Sequence, residues 1–217
     1  MTPEMHSEQV NLQGPSLPAD LVVPEDAQGL VLFAHGSGSS RRSVRNRWVA
    51  SVLQQHGLAT LLFDLLTEEE AQDRRKVFNI ALLGRRVTEA MDWVHQRADL
   101  AQLALGLFGA STGAAAALVA AAQKPRRAAA VVSRGGRPDL ALDALPQVQA
   151  PTLLVVGGRD TEVLTLNRQA LRELTCEKRL EIVPGATHLF EEPGALESVA
   201  VLAADWFGHH LHQPGRS

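Results

Sequence analysis

The chain has 217 residues and a single cysteine, Cys176. It can form no internal disulfide and no cysteine-rich zinc site, and a reducing compartment fits. Positive charge is not in excess: 21 Lys and Arg stand against 24 Asp and Glu, a formal charge of −3. That balance disfavours general nucleic-acid binding, which needs cations to neutralise phosphates. No run approaches the ~20 apolar residues that cross a bilayer, so no membrane partner is expected. Met1 to Glu8 carry acids and no Lys or Arg. They lack the shape of a signal peptide, and the expected location is the cytoplasm. Internal repeats and long low-complexity tracts are also missing; the Ala-rich stretch 114–122 reads as a helix face. What is plentiful is apolar side chain, 45% of residues, enough to bury a full core.

The order of segments is strand and helix in alternation. Gln9–Gln13 and Leu17–Val23 read as a small antiparallel ribbon joined by Gly14-Pro15-Ser16. Leu30–Ala34 and Leu103–Phe108 are apolar on both faces and end in glycines, as buried parallel strands do. Ala59–Phe63, Ala128–Ser133, Thr152–Val156 and Lys178–Val183 supply further strands. Helices are expected at about 43–56, from Val77 to Val94, to about Gln123, at about 162–174 and from Pro193 to about 207. Gly84 lies on the apolar stripe of the second helix, where glycine costs roughly 1 kcal/mol against alanine; it reads as a close helix–sheet contact. The alternation implies an α/β fold with a mostly parallel central sheet covered by helices on both faces. Nothing marks an internal boundary, so residues 1–217 are expected to form one domain, with 1–8 and 209–217 as candidate flexible ends. Arg134–Pro151, 18 residues by position, has room for a loop and a short helix but for no lid domain.

Gly109-Ala110-Ser111-Thr112-Gly113 carries the strongest chemical signal. A serine nucleophile must stand clear of the backbone, and a sharp strand-to-helix turn achieves this at the cost of crowding that flanking glycines relieve. Serine also needs a base beside it. In open α/β sheets, ligands sit at the carboxyl edge of the strands. The residues expected there are His35, Ser37, Asp64, Ser111, Arg134, Asp160 and His188. The series Ser111, Asp160, His188 follows a nucleophile–acid–base order.

These motifs resemble the α/β-hydrolase superfamily and, within it, the compact dienelactone-hydrolase-like group. The resemblance runs from about residue 9 to 207. It rests on His35-Gly36-Ser37-Gly38, Gly109-Ala110-Ser111-Thr112-Gly113, Gly157-Gly158-Arg159-Asp160 and Ala186-Thr187-His188. It implies Ser111 as nucleophile, His188 as general base and acid, and Asp160 as orienting carboxylate. The backbone N–H groups of Ser37 and Thr112 would form the oxyanion hole. Dienelactone hydrolases carry cysteine at the elbow, assisted by a glutamate near the first loop. Here Ser111 stands at the elbow, so the reaction class carries over and the dienelactone substrate does not.

Other readings stay open on sequence grounds. Ser111 could cap the following helix, Asp160 could cap its own, and Asp139 or Asp143 could then serve as the acid. His188 could be a surface loop residue. Asp64 reads as a structural acid and His35 as a shaper of its loop; His35 and Gly36 are expected to border the substrate. His209, His210 and His212 read as a solvated helix end favoured by the helix dipole, and no metal site is assigned. Glu68-Glu69-Glu70 is a solvated loop that could border the site. Arg134 and Arg137, with Arg41, Arg42, Arg45 and Arg47, form either a solvated basic face or a grip on a carboxylate or phosphate. The expected function is a serine hydrolase cleaving a small ester, lactone or thioester, with no cofactor. The alternatives are a hydrolase fold that only binds, and a nucleotide-binding protein. The latter is disfavoured because Arg41 replaces the third glycine of a dinucleotide turn and no Gly-Lys-Ser/Thr loop exists. Oligomeric state is not readable.

Overall fold

A computed structural model describes residues 5–12, 14 and 16–212. Strands β1 (Met5–Leu12), β2 (Leu17–Pro24), β3 (Gly29–Ala34), β4 (Leu58–Phe63), β5 (Leu105–Ala110), β6 (Ala128–Arg134), β7 (Thr152–Gly157) and β8 (Lys178–Val183) form one sheet. Its order is β1-β2-β4-β3-β5-β6-β7-β8. The β1–β2 and β2–β4 pairs are antiparallel; the remaining pairs are parallel. Strands β3, β4, β5 and β7 are buried at every residue, which is why they read as unbroken apolar runs.

Helices α1 (Val44–Gln55) and α6 (Ala195–Leu211) cover one face; α3 (Ile80–Gln96), α4 (Thr112–Gln123) and α5 (Thr161–Glu173) cover the other. A four-residue turn, α2 (Arg74–Val77), precedes α3. The segment after β6 makes a 3-10 helix over Pro138–Gln147, a loop and short helix with no separate lid. Among the described residues no helix is long and apolar enough to cross a membrane.

Several expectations need correcting. The helix expected from Val77 is split: Val77 ends α2, and Asn79 caps α3 by accepting the Leu82 N–H at 3.0 Å. Gly84 meets a helix rather than the sheet. A Cβ there would lie 2.8 Å from Val119 Cγ1 on α4, because the Ala-rich face of α4 draws α3 in closely. The last helix starts after Pro193, since Gly194 still lies in the turn at φ 79°. It continues to Leu211, which is fully buried and packs where a Gly29 side chain would stand. Met5–Glu8 pair within β1; Gln13 and Pro15 of the expected ribbon lie outside the described residues. Regular structure therefore reaches further toward both ends than expected. The histidine end is not simply solvated: His210 packs edge-on to Trp206, centroids 4.5 Å apart, and burial lowers its pKa.

Candidate active site

The carboxyl ends of β3 to β8 converge on one edge, and the elbow stands at its centre. Ser111 has φ 53° and ψ −122°, a conformation that costs a non-glycine residue about 1–3 kcal/mol. Three backbone hydrogen bonds hold it there. Its N–H donates to Arg134 O at 3.2 Å, and its carbonyl accepts from Ala114 N–H and Arg137 N–H, each at 3.1 Å. The two glycines are required by packing. A Cβ on Gly109 would fall 2.3 Å from Ala114 Cα, and one on Gly113 would fall 2.2 Å from Ala34 O. The Ser111 side chain makes no capping bond to α4, so the cap reading is removed. Among the described residues its hydroxyl has no hydrogen-bond partner.

Asp160 follows β7, and His188 follows β8. The loops that carry them are laced together: Gly158 N–H donates to Val183 O and Arg159 N–H to Ala186 O, both at 2.9 Å. The lacing brings His188 Nδ1 to Asp160 Oδ2 at 2.6 Å. Asp160 likewise makes no capping bond to α5. Asp139 is held by Arg137 Nε and Nη2 at 2.8 and 2.7 Å, so it is not the acid beside His188. Glu192 fixes the His188 loop by accepting from Thr187 N–H and Oγ1–H at 3.1 and 2.7 Å. These bonds hold its carboxyl below the usual range. His188 Nε2 has no partner among the described residues. Ser111 and His188 flank the same stretch of chain. Ser111 binds the Arg134 carbonyl, and a Cβ on the next residue, Gly135, would lie 3.5 Å from His188 Nδ1.

The first loop approaches from β3. A Cβ on Gly36 would lie 3.1 Å from Ser111 Cβ, so Gly36 lets the loop reach the elbow. His35 is buried and locked to backbone at both ring nitrogens: Nδ1–H donates to Gly36 O at 2.9 Å, and Nε2 accepts the Leu65 N–H at 3.0 Å. Burial pushes its pKa down. Asp64 anchors the loop, accepting from Arg41 N–H at 2.7 Å and from Arg41 Nη1 at 2.5 Å. The Ser37 N–H is already committed, donating to Thr112 Oγ1 at 2.8 Å.

The arginines part company. Arg137 donates from Nε and Nη2 to Asp139, so its charge already has a counter-ion. Arg45 bridges to Glu191 at 3.1 Å, tying α1 to the His188 loop. Arg134 is buried, with Nε and Nη1 unpartnered among the described residues. Its guanidinium carbon lies 6.0 Å from the Phe190 ring centroid. Burial, with Arg45 nearby, pushes its pKa down to about 10.

A cleft of about 530 Å³ opens beside this edge, lined by His35, Gly36, Ser37, Arg42, Glu68 and Thr112 among others. Glu68 does therefore border it. A family model described as "Alpha/beta hydrolase domain" matches residues 27–199. The chain belongs to the α/β-hydrolases. This hydrolase is 56% identical to a solved dienelactone hydrolase from Anabaena variabilis, over 97% of this chain and 100% of that one, with a TM-score of 0.93. It is thus dienelactone-hydrolase-like. A cold-adapted esterase from an Arctic intertidal metagenomic library shares the fold at 18% identity and a TM-score of 0.76, over 97% of this chain and 95% of that one. A Mycobacterium tuberculosis protein named "Putative phosphoribosyl transferase" is 56% identical over 217 residues, 99% of this chain and 49% of the relative. The hydrolase spans about half the length of the curated relatives it matches.

Sequence reasoning missed the bond from the Ser37 N–H to the Thr112 hydroxyl, the Glu191 and Glu192 contacts that fix the His188 loop, and the buried Asn46 on α1, whose Oδ1 is unpartnered among the described residues. A hydroxyl immediately after the elbow serine was a visible signal for the first. The adjacent acids after His188-Leu189-Phe190 carried none.

Proposed function

We propose that this α/β-hydrolase cleaves a small ester, lactone or thioester through an acyl-enzyme on Ser111. The observation that carries the reading is the 2.6 Å His188–Asp160 hydrogen bond at the same sheet edge as an uncapped, backbone-strained Ser111. His188 Nε2 takes the Ser111 proton as Oγ attacks the acyl carbon. The carbonyl oxygen becomes an oxyanion facing the Thr112 N–H and the Ser37 loop. His188 then protonates the leaving group as its bond to the acyl carbon breaks. A water, deprotonated by His188, attacks the acyl carbon; its bond to Ser111 Oγ breaks, the acid leaves, and His188 returns the proton to Ser111 Oγ. Asp160 holds the imidazole with Nδ1–H inward and stabilises the imidazolium. Apart from substrate and water, every group in this cycle is a side chain or backbone N–H of the chain, so the proposed cycle calls on no cofactor.

We read the substrate as a small molecule, since no lid covers the edge among the described residues, and as one that bears an anion. Arg134 supports the second point: a buried guanidinium without a counter-ion is costly, and an acidic substrate group would supply one. The primary test is Ser111→Ala together with an organophosphate probe. Labelling and ester hydrolysis are expected in the wild type and lost in the variant; activity retained in the variant overturns the reading. For the anion, an acid-bearing ester is compared with its neutral analogue in Arg134→Ala. A loss confined to the acid-bearing ester is expected, and equal losses remove Arg134 from binding.

The name of the curated relatives supports a second reading, phosphoribosyl transfer. Release of diphosphate from phosphoribosyl diphosphate, undiminished in Ser111→Ala, would establish it over the first.

A further inference from the structure

We infer that the side-chain hydroxyl of Thr112, and not the Ser37 N–H acting directly, is the second donor to the oxyanion; this rests on the hydrolase reading above. The starting point is a misfit. A two-amide oxyanion hole needs the Ser37 N–H directed at the reacting oxygen, yet that N–H donates to Thr112 Oγ1 at 2.8 Å. The contact joins residues 75 positions apart, so it is a product of the fold and not of local chain geometry.

A hydroxyl that accepts one hydrogen bond still has its own proton to give. No described residue accepts the Thr112 proton. The side chain is 3% exposed and lines the cleft next to Ser37. A substrate oxygen seated in the cleft beside Ser37 would meet that unclaimed proton. Thr112 directly follows Ser111 and opens α4, so its amide N–H is one of the helix's unpaired leading donors. The amide and hydroxyl of one residue can converge on a single acceptor. A chain then forms in which Ser37 N–H donates to Thr112 Oγ1 and Thr112 Oγ1–H donates to the oxyanion. Donation into Oγ1 polarises its O–H bond, and the low dielectric around a buried hydroxyl strengthens the link. Charge develops on the oxygen only as Ser111 attacks, so the hydroxyl acts on the transition state more than on the bound substrate.

The test uses Thr112→Ala, Thr112→Val and Thr112→Ser in the full chain, each checked for folding by thermal melting. Thr112→Ala removes the hydroxyl and uncovers the Ser37 N–H. Expected is a fall in kcat of about 10²–10³-fold with KM little changed, and near wild-type kcat in Thr112→Ser. Affinity for a boronic acid that forms a tetrahedral adduct on Ser111 should fall with kcat. Thr112→Val, read against Thr112→Ser, serves if Thr112→Ala does not fold. A Thr112→Ala enzyme that keeps or exceeds wild-type kcat overturns the inference, because Ser37 then contacts the oxyanion itself. Loss in Thr112→Ser equal to that in Thr112→Ala also overturns it, because the methyl group then matters and not the hydroxyl. Hydrolysis surviving Ser111→Ala is a different failure, that of the serine-hydrolase reading.

Discussion

Two imidazoles stand at the same sheet edge and are held in opposite ways. His35 is buried, and both ring nitrogens are locked to backbone, one donating to Gly36 O and one accepting from Leu65 N–H. Asp64 is near enough to favour its charged form, yet burial outweighs that pull. His188 has one nitrogen on the Asp160 carboxylate and the other open, with 39% of the side chain exposed. On the proposed mechanism, a place at the same edge as Ser111 does not by itself make a ring a proton carrier. A carrier needs a nitrogen free to exchange and a fixed counter-charge for the protonated ring, and only His188 has both.

The sharpest way to break this contrast is to remove each ring and measure turnover. His188→Ala should lower kcat on an ester by roughly 10⁵-fold or more, as for members of a catalytic unit. His35→Gln should lose less than about tenfold per folded molecule. Comparable losses would erase the distinction. The order reverses for stability. His35→Gln disturbs two buried backbone partners and should cost about 1–3 kcal/mol in urea unfolding, while His188→Ala, half-exposed, should stay within about 1 kcal/mol. The smallest effect is in pH. The folded His35 pKa lies below its ordinary value, so the unfolded chain binds that proton more readily. Its stabilising contribution is intact above about pH 6.5 and is lost as pH falls from there through the folded pKa. The difference in unfolding free energy between wild type and His35→Gln should shrink from pH 8 to pH 5. A constant difference would show that His35 carries no such linkage.

The sequence made the sheet readable wherever strands are buried on both faces, because β3, β5 and β7 then need apolar residues throughout. It was less legible at the margins. β1 starts earlier than expected because Met5–Glu8 lie on a solvent-facing edge strand, where polar residues give no pattern. Asp160 and His188 were legible from their places after β7 and β8, although their contact depends on loops laced across 28 positions. Arg134 and Arg137 look equivalent in sequence. Their fates are decided by strand direction and by Asp139, which neutralises one and cannot reach the other. The partner of the Ser37 N–H was invisible, since nothing local links it to Thr112.

The elbow glycines set a rule for how this enzyme can change. Their missing side chains are replaced by main-chain atoms of β3 and α4, which cannot step aside for a methyl group. The oxygen at the tip of residue 111 is not among the atoms that crowd Gly109 and Gly113. Exchanging oxygen for sulfur there would alter the reagent while leaving the mounting intact. Chemistry is thus the interchangeable part of this architecture, and the seemingly blank positions on either side are the ones it cannot give up.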